Sequence, residues 1–353
     1  MQNQARRIEW AVWMALAFVA CSGGADNILP AADVSDHGAG WDTLAQVDTT
    51  APSADVATGT IVFPEGPVAM LNNRDILPIL IKAVAEAKQE VTLAHLEFLT
   101  GNGPNQVAAQ LAAAAARGVN VRVILDQDVD ENPAAVATFN AQGIRARLGG
   151  SERTLHVKLV VVDRTMVLVG STNFSTSSLL YNNETNWYFN DPALGDAFAD
   201  YAEGLFAGDT GLRTMVAGPF ANVTPIGDGQ YEQRVLPVIA AAEDRLLLVM
   251  YDLDYDTSSG SDAGNLARAV IKAHQRGVDV RVILEMSGWD DTLNAHNQAA
   301  RTLFASAGVP VRRDSANVTT HAKLLVADDT VVIYSGNWVY TGMQRNHEAG
   351  AMH

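Results

Sequence analysis

The pattern His-x-Lys, a histidine followed two residues later by a lysine, occurs at two places in this 353-residue chain. His156 and Lys158 form the first pair, and His321 and Lys323 form the second. Each pair opens an apolar run that alternates as in a β-strand, where residues two apart project from the same face. Each imidazole is therefore expected to point in the same direction as its ammonium group. In the first copy the opposite, apolar face is formed by Leu155, Val157, Leu159 and Val161.

Two imidazoles and two ammonium groups suit a phosphodiester substrate if the two pairs meet in one site. The lysines neutralise the non-bridging oxygens and the charge that develops at phosphorus. One neutral histidine can attack phosphorus, while the other, protonated, donates to the departing oxygen. This chemistry needs no metal, no metal-binding carboxylate cluster stands out, and His-x-Lys is poor spacing for zinc ligands. The sequence predicts a site without metal or other cofactor.

An aspartate follows each lysine by five residues, at Asp163 and Asp328. The two stretches resemble the HxKxxxxD signature of the phospholipase D superfamily. The resemblance implies catalysis through a phosphohistidine, groups both aspartates with the catalytic residues, and favours His156 as the nucleophile. The positions of the aspartates add a second interpretation. Each falls where its strand ends, so a mainly structural role is favoured, with the carboxylate bonding nearby backbone amides in a hairpin turn.

The element Gly170-Ser-Thr-Asn173 lies where the same family places its Gly-Ser-x-Asn. The Ser171 hydroxyl and the Asn173 amide are expected to donate to phosphate oxygens or to support the site. In the second copy the Gly-Ser order is inverted, as Ser335-Gly336. Asn337 is aligned with Asn173 on the assumption of a one-residue deletion.

Two glutamates preserve that deletion. Glu184 lies 28 residues after His156, and Glu348 lies 27 residues after His321. Both resemble the downstream acidic residue of the family. Such a carboxylate holds one tautomer of a histidine through its second ring nitrogen and stabilises the imidazolium.

The elements around the motifs are also duplicated. Val119–Leu125 is repeated almost letter for letter by Val278–Leu284, and each run follows an alanine-rich helical pattern that ends in Arg-Gly. Helices that alternate with apolar strands predict two similar α/β units, each a mixed, mostly buried sheet flanked by helices. The resemblance implies that a pseudo-twofold axis relates them, with the active site between them. The expected units are 61–220 and 221–353, in a monomer whose catalytic body is pseudo-dimeric. Because the first unit continues through another helix and the second stops soon after Glu348, the second unit is expected to be shortened.

The N-terminal segment has the pattern of an export signal. Arg6 and Arg7 precede the apolar run Trp10–Ala20, which is too short to span a bilayer comfortably. Cys21, the only cysteine, follows directly and resembles the lipid-modified residue of a bacterial lipobox. Residues 1–21 are thus predicted to be a signal peptide and 22–60 a disordered acidic tether. The predicted location is the bacterial cell envelope, outer membrane or periplasm-facing, with Cys21 as the lipid anchor. The alternative is an ordinary signal peptide with an incidental cysteine, in which case the protein is secreted.

Composition bears on the substrate. The net charge of −16 argues against a surface built mainly to hold nucleic acid, because phosphate binding favours basic patches. Apolar content of 48% and a mean hydropathy of +0.04 suit a soluble α/β body. The leading prediction is a phospholipase D-like phosphodiesterase or phosphatidyltransferase that acts on phospholipid. An endonuclease of the same superfamily and a non-catalytic binding protein with the same fold are the alternatives.

Overall fold

The computed structural model describes residues 61–353 except 219, 221, 256–260 and 316. Its first unit contains seven strands and five helices. The strands are β1 (Val68–Asn72), β2 (Glu90–His95), β3 (Asn120–Asp126), β4 (Arg145–Gly149), β5 (Lys158–Val162), β6 (Met166–Gly170) and β7 (Thr185–Asn190). The helices are α1 (Ile76–Glu86), α2 (Pro104–Ala116), α3 (Asn132–Ala141), α4 (Thr176–Leu180) and α5 (Pro192–Ala207), and a 3-10 turn (Asn73–Asp75) follows β1.

The second unit repeats this series. Its strands are β8 (Thr224–Ile226), β9 (Arg245–Met250), β10 (Asp279–Leu284), β11 (Val311–Arg313), β12 (Lys323–Ala327), β13 (Thr330–Tyr334) and β14 (Gly350–Met352). Its helices are α6 (Tyr231–Ala241), α7 (Asp262–Gln275), α8 (Asp291–Ser306) and α9 (Tyr340–Gln344).

The two sheets have the same strand order. The first runs β1-β7-β6-β5-β2-β3-β4, and the second, taken from its β8 edge, runs β8-β14-β13-β12-β9-β10-β11. In each sheet the three strands at one end are parallel and the other pairings are antiparallel. The predicted fold of two similar α/β units with mixed sheets is confirmed. Within the described residues the second unit has all seven strands but no counterpart of α5, so it is shorter than the first unit by that helix, as expected. His353 exchanges two backbone hydrogen bonds with Val331.

One central core joins the two units. Leu159 and Val161 of β5 and Leu324 and Val326 of β12 contribute to the same buried cluster, which also contains Phe198 of α5. Two outer cores lie on the opposite faces of the sheets, under α1 and α2 in the first unit and under α6 and α7 in the second. The apolar face predicted for the first motif therefore packs at the junction of the units.

Candidate active site

The two His-Lys pairs lie where β5 and β12 begin. Both lysines are buried, Lys158 with 3% and Lys323 with 1% of its surface exposed. Each Nζ donates to the backbone carbonyl of its own histidine, His156 or His321, at 2.7 Å. Because a buried ammonium group must be hydrogen-bonded, this contact fixes each lysine next to its imidazole.

Each histidine is held by a glutamate of the opposite unit. Nδ1 of His156 lies 2.8 and 3.0 Å from the two carboxylate oxygens of Glu348. Nδ1 of His321 lies 3.2 Å from Glu184. A carboxylate can only accept, so Nδ1 carries the proton in both rings and Nε2 keeps a free lone pair. Both glutamates predicted from the sequence therefore reach a histidine, and they do so across the junction.

Backbone pairing between the units carries the glutamates to their partners. Asn183, the residue before Glu184, donates its backbone N–H to Thr319 and accepts from the N–H of His321, both at 2.9 Å. In the reciprocal contact, the backbone N–H of His347 donates to the carbonyl of Thr154 at 2.9 Å. The segment that carries each glutamate thus runs beside the segment that carries the other unit's histidine.

The serines support the glutamates. Ser171 donates its hydroxyl to Glu184 at 2.5 Å, and its oxygen accepts the N–H of Thr185 at 2.9 Å. Ser335 donates to Glu348 and accepts from Ala349. Both serines are fully buried. Of the two roles expected for Ser171, donation to a phosphate or support of the site, these contacts fit support, because the hydroxyl donates to Glu184.

The expected inversion of Gly and Ser in the second copy is wrong, because the two serines make equivalent hydrogen bonds. Ser335 is the counterpart of Ser171, and the one-residue deletion lies in the preceding turn, which has three residues between β5 and β6 and two between β12 and β13. Gly170 pairs with Asn186, and a Cβ on it would lie 2.4 Å from the carbonyl of Thr185. In the second unit Tyr334 takes the place of Gly170, and the glycine stands across the pair, at Gly350. The close approach of the strands is kept, but the glycine has moved to the facing strand.

Asn173 and Asn337 occupy equivalent places two residues after these serines, as the alignment predicts. Each side-chain oxygen is buried without a hydrogen-bond partner in the described part of the chain. The residues that follow, Phe174 and Trp338, pair with the loops after β2 and β9 at Phe98 and Leu253.

The two aspartates lie at the far ends of β5 and β12. From Lys158 to Asp163 the chain is extended, which at about 3.3 Å per residue gives roughly 16 Å. The Asp163 carboxylate accepts from the backbone N–H groups of residues 88, 89 and 90. Asp328 accepts from residues 243, 244 and 245. Their grouping with the catalytic residues is not supported by this placement. The structural interpretation fits, although the amides lie far away in sequence, in the loops before β2 and β9.

Burial and proximity set the charges of the site. Burial lowers the pKa of His321 to about 4, helped by the positive charges of Lys323 and Lys158. Burial also lowers the pKa of His156, against the opposing effect of Glu348. Burial lowers the pKa of Lys158 to about 8 and that of Lys323 well below its ordinary value.

The glutamates respond in the opposite way. Burial alone would raise the pKa of Glu184, but contact with His321 and Lys323 lowers it to about 2. The pKa of Glu348 is lowered by His156 and Lys158, again against burial. At neutral pH the carboxylates are therefore anionic and the imidazoles neutral. Because Lys323 acts on His156 and Lys158 acts on His321, the four groups form one electrostatic unit.

A second set of repeated residues, which the motifs did not indicate, forms hydrogen bonds to the backbone just before each histidine. Asp126 accepts from the N–H of Leu155 at 2.5 Å, and Glu285 accepts from that of Thr320 at 2.6 Å. Asn132 binds the carbonyls of residues 96 and 126 and the N–H of residue 98. Asn297 makes the same three bonds with residues 251, 285 and 253. The signal was present, since Asn132 and Asn297 are 165 apart, like the two histidines.

The surroundings of the two halves differ in their aromatic contacts. The ring of Tyr251 lies 4.7 Å from that of His321 and 4.8 Å from Nζ of Lys323. Leu96 is the aligned residue in the first unit. There the ring stack is instead that of His95 on Phe174, 4.2 Å apart.

Two further histidines lie near the ends of the central strands. His95 is buried, with Nε2 3.2 Å from the carbonyl of Thr172. Nδ1 of His296 lies 3.1 Å from the carboxylate of Asp252. Cys21, predicted as the lipid anchor, lies outside the described residues. Within the described ranges no group of three or more His, Cys, Asp or Glu side chains is arranged to hold a metal ion. No helix there is long and apolar enough to cross a bilayer.

Comparison with known proteins agrees with this architecture. The family model described as "Cardiolipin synthase, PLD-like domain" matches residues 80–206 and 235–353. The chain is 31% identical over 121 residues to cardiolipin synthase B of Shigella flexneri, which covers 31% of this chain and 29% of that protein. It is 23% identical over 291 residues to cardiolipin synthase A of Yersinia pseudotuberculosis, covering 72% of this chain and 58% of that protein. The chain thus matches less than two thirds of the length of either relative.

A solved structure shares the fold. The phosphatidylserine synthase of Haemophilus influenzae superposes with a TM-score of 0.64 over 81% of each chain, at 13% identity.

Proposed function

Since the chain belongs to the phospholipase D-like family that includes the cardiolipin synthase domain, we propose that it is a phosphatidyltransferase or phosphodiesterase working through a phosphohistidine. The observation that carries this proposal is the crossed arrangement of two His-Lys pairs, each histidine hydrogen-bonded to a glutamate of the other unit. A nucleophile and a proton donor on opposite sides of phosphorus are what an in-line displacement requires.

In the first step Nε2 of His156 attacks phosphorus, the P–O bond to the departing alcohol breaks, and its electron pair leaves with that oxygen. His321, which takes up a proton when binding of the phosphodiester anion raises its pKa, donates that proton to the departing oxygen. The choice of His156 as nucleophile is supported by its contact with both oxygens of Glu348, at 2.8 and 3.0 Å. That carboxylate stabilises the positive charge that forms on the imidazole as the N–P bond is made.

In the second step water or an alcohol attacks the phosphohistidine. His321, now neutral, takes the proton of the attacking group, and the N–P bond breaks to restore His156. Lys158 and Lys323 neutralise the non-bridging oxygens in both steps, and the side-chain amides of Asn173 and Asn337 are proposed as further donors. Asp163 and Asp328 have no part in this chemistry.

A phospholipid is the proposed substrate. The two sequence relatives are named for synthesis of a phospholipid. The net charge of −16 adds support, since it disfavours a polyanion such as DNA.

We also propose that Cys21 carries a lipid anchor and that residues 22–60 link it to the catalytic body on the bacterial envelope. The support is the apolar run followed by the lone cysteine. Metabolic labelling with an alkyne fatty acid tests it. Cys21→Ser should lose the label and leave the membrane fraction, whereas unchanged labelling rules out Cys21.

The activity is tested with the purified protein on phosphatidylglycerol, phosphatidylcholine and single-stranded DNA, each with EDTA present. We expect release or transfer of a phospholipid headgroup and loss of it in Lys158→Met and Lys323→Met. Cleavage of DNA without turnover of either lipid would overturn the phospholipid assignment in favour of a nuclease.

A further inference from the structure

One buried carboxylate of the second unit is tied to the site without touching either histidine of the motifs. Asp228 follows β8 and is 1% exposed. One oxygen accepts from the hydroxyl of Tyr201 at 2.6 Å and from the backbone N–H of Glu348 at 2.8 Å. The other accepts from the backbone N–H of Arg213 at 2.8 Å and lies 2.6 Å from Nδ1 of His347. All four partners donate, so the full acceptor capacity of an ionised carboxylate is used.

In the first unit, neutral amide side chains stand in the places of the Asp228 carboxylate and the His347 ring. Leu71 pairs with Asn186 as Ile226 pairs with Gly350, which makes Asn73 the counterpart of Asp228. The side-chain oxygen of Asn73 accepts the N–H of Glu184 at 2.9 Å. Asn183, the counterpart of His347, donates to the hydroxyl of Thr320 at 3.0 Å.

We propose that Asp228 is a positioning residue for His156, acting through Glu348, and that Tyr201 and His347 are parts of the same support. The inference rests on the proposed function, because its effect is on phosphorylation of His156. Asp228 fixes the backbone of Glu348, whose carboxylate holds Nδ1 of His156. Tyr201 reinforces this contact by also reaching the carbonyl of Glu348 at 3.1 Å. Burial and Asp228 keep the pKa of Tyr201 well above its ordinary value, so the hydroxyl remains a donor.

The two halves are therefore not equivalent. The His156 half depends on a charged acceptor that helix α5 and the segment around Arg213 help to hold, whereas the His321 half depends on Asn73. Exchanging the two residues gives a matched pair of variants. Asp228→Asn leaves one acceptor oxygen where the carboxylate has two, so an amide N–H must face either the N–H of Glu348 or that of Arg213 and Nδ1 of His347; in the first orientation Glu348 loses its contact and in the second the segment that holds residue 228 is displaced. Asn73→Asp keeps the acceptor for Glu184.

The test is single-turnover phosphorylation from a nitrophenyl phosphodiester, measured with the affinity for dimethyl phosphate. In Asp228→Asn we expect phosphorylation of His156 to fall by about 10²-fold, the cost of a misplaced reacting group, with affinity changed less than about threefold. Asn73→Asp should stay within about threefold in both. Tyr201→Phe, which keeps the ring in the core, should slow phosphorylation by about three- to tenfold if Asp228→Asn does not fold.

Three outcomes overturn the inference. These are normal phosphorylation in both Asp228→Asn and Tyr201→Phe, equal losses in Asp228→Asn and Asn73→Asp, and loss of affinity in parallel with phosphorylation. Failure of the wild-type protein to form any phosphohistidine would instead refute the proposed function, so the two failures are distinguishable.

Discussion

Nδ1 of His156 lies 3.0 Å from the carboxylate of Glu348, although 192 residues separate them in the chain. The reciprocal contact joins His321 to Glu184 across 137 residues. The glutamate that holds each histidine belongs to the other unit, so neither unit alone contains a complete half of the site. Both units must be folded and joined before either imidazole has its tautomer and orientation fixed.

Because each glutamate contacts the histidine of the other unit, a variant of that glutamate should affect the same step as a variant of the histidine it contacts. Glu348→Gln should slow formation of the phosphohistidine on His156, the step that loss of His156 itself would abolish. Glu184→Gln should instead impair proton transfer by His321. Each loss is expected to be about 10²-fold, in the range of one acid-base contribution. Rapid-quench kinetics with a nitrophenyl ester and with an alkyl phosphodiester separate the two effects, since nitrophenol needs little protonation.

The expected pattern is that Glu184→Gln retains the burst with the nitrophenyl ester and Glu348→Gln loses it. The opposite pattern would mean that each glutamate acts within its own unit, contrary to the structure.

Binding of an anion should be coupled to proton uptake. The pKa of His321 is about 4 because of burial and the neighbouring lysines, and that of Lys323 is also lowered. A phosphodiester anion stabilises the protonated form of both groups, which raises each pKa and draws protons from solution. Titration calorimetry of dimethyl phosphate binding at pH 6 to 7, in buffers of different ionisation enthalpy, measures the uptake. It should decrease in His321→Asn, and proton release on binding would contradict the account.

Asp163 should matter for stability and not for chemistry. Asp163→Asn replaces one acceptor for the N–H groups of the loop before β2 while keeping a residue that tolerates the φ of +50°. We expect the free energy of unfolding to fall by about 1 kcal/mol and phosphohistidine formation to change less than about threefold. Urea unfolding and single-turnover kinetics check this, with Asp328→Asn as the matched variant. A loss of two orders of magnitude in rate at unchanged stability would restore a catalytic role.

His95 should make the fold sensitive to acid. Its pKa is lowered to about 3 by burial and Lys158, from an ordinary value of 6.5. Between these values the unfolded chain binds a proton that the folded chain does not, so stability falls as the pH drops from 6.5 towards 3. The slope from this one group reaches about 1.4 kcal/mol per pH unit. His95→Met, which copies the aligned Met250, should flatten the fall in urea unfolding between pH 7 and 4.5. His274→Gln is the control, and an unchanged slope in His95→Met would contradict the assignment.

The fold and most of the site could be predicted from the sequence, because the two units repeat their key residues at nearly constant spacing. The interval of 165 residues relates His156 to His321, and the interval of 164 relates Glu184 to Glu348. Periodicity also identified the central strands, whose side chains are buried on both faces. The short strands β1, β8 and β14, which lie at or next to a sheet edge, were missed, because three to five residues beside polar loops carry too little periodicity.

Contacts between distant residues set the limit of prediction. The spacing located Glu184 and Glu348 but not which histidine each would hold, since the crossing depends on how the units dock. The glycine required between β6 and β7 was misread in the second copy for a related reason. Gly350 relieves the same close approach from the facing strand, and a comparison made along one strand cannot detect that exchange.

The most direct measurement of the account is mass spectrometry of the covalent intermediate after rapid quench, with a nitrophenyl phosphodiester and EDTA. We predict a phosphoryl group joined to His156 through an N–P bond in the wild-type protein and none in His156→Asn. In His321→Asn the modified His156 should accumulate, because hydrolysis lacks its base. Modification of His321 in the His156→Asn variant would reverse the roles of the two histidines. Turnover with no modified histidine in any variant would contradict the phosphohistidine mechanism.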